Sequence, residues 1–264
     1  MLYIPTEKLH QIRLSVQYWM SQQKISKKQL QSLIGKISWG AKCIKAIRPI
    51  LRSLIDLQTS LSHSSHRVRI PAYVKKHLAF YDHWCSIFNG VSFASRLKFL
   101  PDTMVFTDSS LDGGAAYCNK DFIFSAWKAD FPKLQSHPIF VKELFAILLA
   151  FHRWPYHWRD KSVQIHTDNK GAEWAIRKGL TKNCAANAIV HEILWIAALF
   201  NIDIHMKYIA SADNCVADAL SRMTNFQFLV LAIKFLWNKS VDISQPGYNL
   251  LHHMSYDSYK LVFT

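Results

Sequence analysis

The stretch that decides the fold runs from Met104 to Trp127, MVFTDSSLDGGAAYCNKDFIFSAW. Met104–Thr107 reads as a strand that ends on Asp108. Gly113-Gly114 follows a polar turn and leads into Ala115–Cys118, and Asn119-Lys120 separates that run from Phe122–Trp127. Three apolar runs divided by two turn signals predict an antiparallel meander. Downstream the apolar period lengthens to that of a helix. Ile139–Trp154 sets Leu144, Ile147, Leu148 and Phe151 on one side. Ser162–Thr167 reads as a strand, Asn169–Lys178 and Asn183–Phe200 as helices, the first closed by Gly179. Ile202–Ile209 is a further strand, and Val216–Arg222 starts a last helix. The order βββ-α-β-α-α-β-α defines a mixed α/β domain over residues 101–225.

Residues 1–100 have another texture, helical and basic. Leu9, Ile12, Val16 and Trp19 recur at helical spacing after Pro5-Thr6-Glu7. A second run from Ser26 to about Leu61 puts Leu30, Leu33, Ile34, Ile37, Ile44, Ile47, Leu51 and Leu54 on one stripe, which Pro49 is expected to kink or divide. Ser60–His66 reads as a loop, and Pro71–Phe88 as a third helix ending near Asn89-Gly90. Residues 226–264 are apolar, then rich in tyrosine and serine, and form a C-terminal extension without a motif.

Half of the 264 residues are hydrophobic, so a sizeable core is expected and intrinsic disorder is not. The net charge of +14 favours a polyanionic partner, since each phosphate contact releases counterions. Cys43, Cys85, Cys118, Cys184 and Cys215 are scattered and form no C-x-x-C pair, which argues against zinc and for a reducing compartment. Phe226–Trp237, the most apolar run, holds Lys234 and falls well short of the ~20 residues needed to cross a bilayer. The start of the chain lacks the apolar core of a signal peptide. A soluble intracellular protein with no membrane partner, in cytoplasm or nucleus, is expected.

Four acids stand at the ends of core elements: Asp108 after the first strand, Glu143 early in the first helix, Asp168 after the fourth strand and Asp218 opening the last helix. If the first and fourth strands lie side by side, Asp108 and Asp168 meet at one end of the sheet, within reach of the two helical acids. Four carboxylates repel one another strongly in a small volume unless divalent cations neutralise them. Oxygen ligands without a cysteine or histidine cluster point to Mg2+, with Mn2+ as a substitute. Two such ions ~4 Å apart would stabilise the attacking and leaving oxygens of phosphodiester cleavage. A single acid after a strand is more often a turn or cap residue, and Asp102, Asp112, Asp160 and Asp213 read that way.

The residues around the four acids are more specific. Phe106-Thr107-Asp108-Ser109-Ser110 with Gly113-Gly114-Ala115-Ala116-Tyr117, then Lys142-Glu143-Leu144-Phe145-Ala146, then His166-Thr167-Asp168-Asn169-Lys170-Gly171-Ala172, resemble the successive motifs of ribonuclease H domains. Asn214-Cys215-Val216-Ala217-Asp218-Ala219-Leu220-Ser221-Arg222 resembles the closing motif of retrotransposon ribonuclease H domains. The resemblance implies a ribonuclease H-like mixed five-stranded sheet flanked by helices. It implies a two-metal-ion endoribonuclease that hydrolyses the RNA strand of RNA–DNA hybrids and leaves a 3′-hydroxyl and a 5′-phosphate. Asp108 would bridge both ions, Glu143 and Asp168 would hold the ion near the leaving group, and Asp218 would help hold the ion that activates water. Ser109, Gly114 and Asn169 match positions that contact the hybrid in similar proteins. Turn geometry and helix capping are sufficient reasons for the same residues. Many relatives carry a histidine about ten residues before the last acid; here that stretch reads Lys207-Tyr208-Ile209-Ala210-Ser211, as gypsy-type elements often do without one. The departure bears on proton shuttling and rate, not on metal binding. His205 reads as a strand residue and not as its substitute.

The first segment extends the likeness. Pro5-Thr6-Glu7-Lys8-Leu9, Leu33-Ile34-Gly35-Lys36-Ile37-Ser38-Trp39 and Asn89-Gly90-Val91-Ser92 resemble the thumb and connection region of DIRS-type retroelement polymerases. No Tyr-x-Asp-Asp occurs, so the polymerase palm is absent from this chain and the missing polymerase portion is an expected partner beside the hybrid. Basic residues of this segment, Lys36, Lys42 and Lys45 among them, are expected to hold phosphates without reading sequence. Trp127, Trp154, Trp158, Trp174 and Trp195 are expected mostly in the core. His152, His157, His166 and His191 lack metal-site spacing. Two competing readings are an inactive nucleic-acid-binding remnant of a retroelement and another enzyme of the same fold, an integrase or junction nuclease. The meander, the Glu143 helix and the Ala217-Asp218 ending disfavour the last.

Overall fold

Ser26 fixes the start of one helix before any packing is considered: its side chain accepts from Gln29 N–H while the Gln29 side chain accepts from Ser26 N–H. That helix belongs to the first of two compact units, Met1–Ala94 and Ser95–Thr264. The structure, a computed structural model, describes residues 3–87, 100–119 and 121–222. Asn89-Gly90-Val91-Ser92, Lys120 and residues 226–264 lie outside the described residues.

In the first unit α1 (Thr6–Ser21) buries Leu9, Ile12, Val16 and Trp19, the stripe that the spacing predicts. α2 (Lys27–Gly40) and α3 (Arg48–Thr59) follow, then α4 (Ala72–Ile87). Pro49 does not divide a long helix. α2 already ends at Gly40, a short 3-10 turn spans Lys45–Ile47, and Pro49 sits in the first turn of α3, where its missing N–H costs nothing. Two strands, β1 (Lys24–Ser26) and β2 (Arg67–Arg69), pair antiparallel. Three residues each are too few to show a two-residue period, so the sequence pattern misses them. Ser60–His66 connects α3 to β2 as a loop.

The second unit follows the expected order. β3 (Thr103–Ser109), β4 (Gly113–Cys118) and β5 (Asp121–Ala126) form the meander. A short α5 (Trp127–Asp130) takes Trp127 out of the strand assigned to it. Then come α6 (Ile139–Arg153), β6 (Ser162–Thr167), α7 (Lys170–Lys178), α8 (Cys184–Leu199), β7 (Asp203–Tyr208) and α9 (Cys215–Ser221). The strand order is β5-β4-β3-β6-β7, with β3–β6 and β6–β7 parallel. This is the ribonuclease H-like mixed five-stranded sheet flanked by helices.

Strand alternation assigns the faces. Ala115 packs with Val216 and Leu220 of α9, while a Cβ at its neighbour Gly114 would meet Ala146 of α6. α9 and α6 therefore cover opposite faces of the sheet. α6 is buried all round from Val141 to Phe151, with Lys142 and Glu143 the charged residues of that run. Trp127, Trp154 and Trp158 fill the core, as their type predicts, whereas Trp174 is exposed. Among the described residues no helix is long and apolar enough to cross a membrane.

Candidate metal centre

Parallel pairing of β3 with β6 sets the site. Phe106 lies opposite His166, so two residues further along the strands reach Asp108 and Asp168 at the same end of the sheet. Glu143, on the second turn of α6, comes to them from the flanking helix. One oxygen from each of Asp108, Glu143 and Asp168 lies within 4.8 Å of the others. Three elements distant in sequence thus deliver three of the four predicted acids to one point.

Burial makes the cluster costly. Asp108 is 4% exposed and Glu143 3%. Burial, with the charges of Asp168 and Asp218, pushes Asp108 up to about 6, against the pull of the Ser221 hydroxyl and Arg222. Burial first, then the charges of Asp108 and Asp168, holds Glu143 well above the usual carboxylate range, and a hydrogen bond with the Ser109 backbone offsets little of it. The Oε2 of Glu143 is buried with no hydrogen-bond partner among the described residues. A buried acceptor without a donor, beside two further acids, fits a cation better than any internal partner.

Neutral donors hold the other two acids. Ser221 Oγ, fully buried at the end of α9, donates to Asp108 Oδ2 at 2.6 Å. Ser211 Oγ donates to Asp168 Oδ2 at 2.6 Å. Asn214, buried in the same connection, donates through Nδ2 to Thr107 O at 2.9 Å and ties the segment before α9 to β3. Ser221 and Asn214 lie inside the closing motif, but nothing in its spacing singled them out. Ser211 lies in the stretch where relatives often carry histidine, and no sequence signal marked it.

Asp218 is placed differently. It lies on α9, outside the group of three, and its Oδ1 accepts from Arg222 Nε at 2.9 Å and Nη2 at 2.7 Å. It is still near enough to raise Asp108.

The turn between β3 and β4 is fixed from below. Ser110 O accepts from the Trp127 indole at 3.2 Å, Asp112 O from Trp127 N–H at 2.9 Å, and Leu111 O from the ammonium of buried Lys142 at 2.9 Å. Ser109 is buried, its hydroxyl turned to Ser110 O and Gly113 O. Gly114 lies under Trp127: an added Cβ would stand 2.2 Å from the indole ring. Asn169 caps α7, its Oδ1 accepting from Ala172 N–H at 3.0 Å. Lys36 is exposed on α2, with its ammonium 3.2 Å from Ser15 Oγ, and Lys42 and Lys45 are exposed around the turn that follows α2. These three belong to the first unit and the acids to the second. His166 is buried and stacks on Phe106 with ring centroids 4.3 Å apart, a structural role; burial and Lys207 lower its pKa.

No family model and no curated protein matches the chain. Among solved structures, a similar chain is the foamy viral protease-reverse transcriptase dRH in complex with ds DNA. The two are 12% identical with a TM-score of 0.30, over 77% of this chain and 35% of that one, so the chain spans about a third of the length of that neighbour.

Proposed function

We propose that the second unit is a ribonuclease H-type endonuclease that hydrolyses the RNA strand of RNA–DNA hybrids with two divalent ions, Mg2+ or Mn2+. One observation carries the reading: Asp108, Glu143 and Asp168 converge within 4.8 Å at the end of a β5-β4-β3-β6-β7 sheet. The four sequence motifs supply the same acids in the same order. A bound divalent ion would lower the cost of forming hydroxide from water and neutralise charge on the scissile phosphate.

The chain's own residues supply the frame. Asp108, Glu143 and Asp168 would hold the ions, with Asp218 completing the set from α9. Ser221 and Ser211 each occupy one carboxylate oxygen, Asp108 Oδ2 and Asp168 Oδ2. The anchored β3–β4 turn helps to keep Asp108, at the end of β3, in place. Ser109, Gly114 and Asn169 frame the centre by backbone and capping, and Lys36, Lys42 and Lys45 are proposed to meet the hybrid's phosphates in the first unit. The missing polymerase portion of a retroelement is the proposed protein partner.

The test is cleavage of a strand-labelled RNA–DNA hybrid in Mg2+ and then Mn2+, comparing the full chain with Asp108→Asn. Metal-dependent cutting of the RNA strand alone, lost in the variant, is the expected result. Binding without cutting in either metal would leave the inactive remnant as the correct reading.

A further inference from the structure

The β1–β2 pair has an unfavourable register. Lys24 stands directly opposite Arg69, and Ser26 opposite Arg67. Opposed residues share a face and alternate residues return to it, so Lys24, Arg67 and Arg69 all project from one side. Ile25, opposite Val68, occupies the other side and is 1% exposed. Like charges directly opposed destabilise a strand pair. Among the described residues no acid compensates. The acids of the first unit are Glu7, Asp56 and Asp82; Asp56 is taken by Arg52 and Asp82 by Arg13, and Glu7 lies in the first turn of α1. Lys24, Arg67 and Arg69 are exposed and have no ion-pair or side-chain hydrogen-bond partner among the described residues.

A second feature adds charge of the same sign. α2 begins directly after β1 with Lys27 and Lys28 and has no acid in its first turn. Lysines there oppose the positive end of the helix dipole. Lys27 is spent on the fold, its ammonium on Leu61 O and Ser62 O, but Lys28 is exposed. Neither the strand register nor the helix start is what stability alone would select.

We propose that the outer face of the β1–β2 pair, Lys24, Arg67 and Arg69 with Lys28 beside them, binds the sugar-phosphate backbone of a nucleic-acid duplex. The partner follows from charge and from what the face lacks. Two arginine forks suit phosphate oxygens. No large apolar side chain is exposed on the pair or on the Ser60–His66 loop, as insertion into a lipid surface would need. The inference concerns the first unit and does not rest on the nuclease reading.

The experiment measures salt dependence with the full chain in EDTA, so that no metal-dependent cleavage intervenes. Anisotropy of labelled double-stranded DNA is followed over a range of KCl for wild type, for Lys24→Gln/Arg67→Gln/Arg69→Gln, and for a charge-matched Lys8→Gln/Lys133→Gln/Lys182→Gln. Each lost phosphate contact lowers the slope of log K against log salt by about 0.9, so the first variant is expected to lose about 2.7 and the second nothing. Its melting temperature should not fall, since a like-charge pair is removed. Should the triple variant misfold, Arg69→Gln alone reads the same effect at about 0.9. Equal slopes in wild type and the strand variant would overturn the proposal, as would an equal loss in the charge-matched variant. Wild-type binding to phosphatidylserine vesicles but not to DNA would overturn it too.

Discussion

Asp108→Asn should stabilise the metal-free protein while abolishing its response to metal. Asp108 titrates at about 6 in the fold against an ordinary 3.8. The difference of about two units, at about 1.4 kcal/mol each, means that ionised Asp108 costs the fold on the order of 3 kcal/mol at neutral pH. Asparagine has the same shape and no charge, and its side-chain oxygen can still accept from Ser221 Oγ. A weaker neutral hydrogen bond takes back about 1 kcal/mol, which leaves a gain of about 2 kcal/mol. For a folding unit of this size that is a rise of roughly 4–8 °C in melting temperature. The assay is thermal denaturation at pH 7.5, first in EDTA and then in Mg2+. In EDTA the variant should melt above wild type; with Mg2+ wild type should rise and the variant should not. A variant that melts below wild type in EDTA would refute the reasoning, because the carboxylate would then be held by the fold and not strained by it.

Other consequences follow from the same contacts. Because Asp108 binds protons more tightly folded than unfolded, its contribution is full below about pH 4 and is lost as pH rises through about 6; Glu143, raised well above the usual carboxylate range by burial, acts in the same direction. The urea midpoint in EDTA should fall across that window, and added Mn2+ should flatten the fall. Ser211→Ala and Ser221→Ala should each weaken Mn2+ binding about tenfold in calorimetric titration, with Ser211→Thr restoring it, since groups that orient metal ligands act at that scale. Gly114→Ala drives a methyl into Trp127 and should cost about 3 kcal/mol in chemical denaturation; wild-type stability would make Gly114 a nucleic-acid contact and not a packing site. Arg222→Gln frees the Asp218 carboxylate and should strengthen the weaker of two Mn2+ binding events, with an unchanged isotherm counting against Asp218 as a ligand.

The second unit was legible because its elements are long and its punctuation is local. Ser162–Thr167 forms as read, Gly179 ends α7 with φ 76°, and Asn169 and Asn183 cap the helices they precede. The acids were legible because Asp108 and Asp168 stand at the ends of β3 and β6, where parallel strands bring distant chain together, and Glu143 and Asp218 lie early in the helices that follow. What escaped was tertiary. Ser211 finds Asp168 across 43 positions and Ser221 finds Asp108 across 113, and no periodicity encodes such pairs. Gly114 looked like a turn or contact glycine because the ring that excludes a side chain there arrives from α5. In the first unit the Lys24–Arg69 pair escaped because its strands are shorter than the pattern that would reveal them.

The acids of the centre are not electrostatically equivalent, and their neighbours explain why. Asp108 and Asp168 are held by hydroxyls, which fix a carboxylate without cancelling its charge. Glu143 has a backbone neighbour and an oxygen with no donor. Asp218 alone is paired with a cation, Arg222, four residues on at the C-terminal cap of α9. A fold that needed these acids only for structure would gain by pairing the buried ones first, since an unpaired buried charge is the costly one. Here the arginine goes to half-buried Asp218, and the buried Asp108 and Glu143 are left close together without a cation partner. That distribution raises the energy of the metal-free centre, and a bound cation would lower it. The same logic holds for the unpaired cations of β1 and β2, whose strain an anion would relieve.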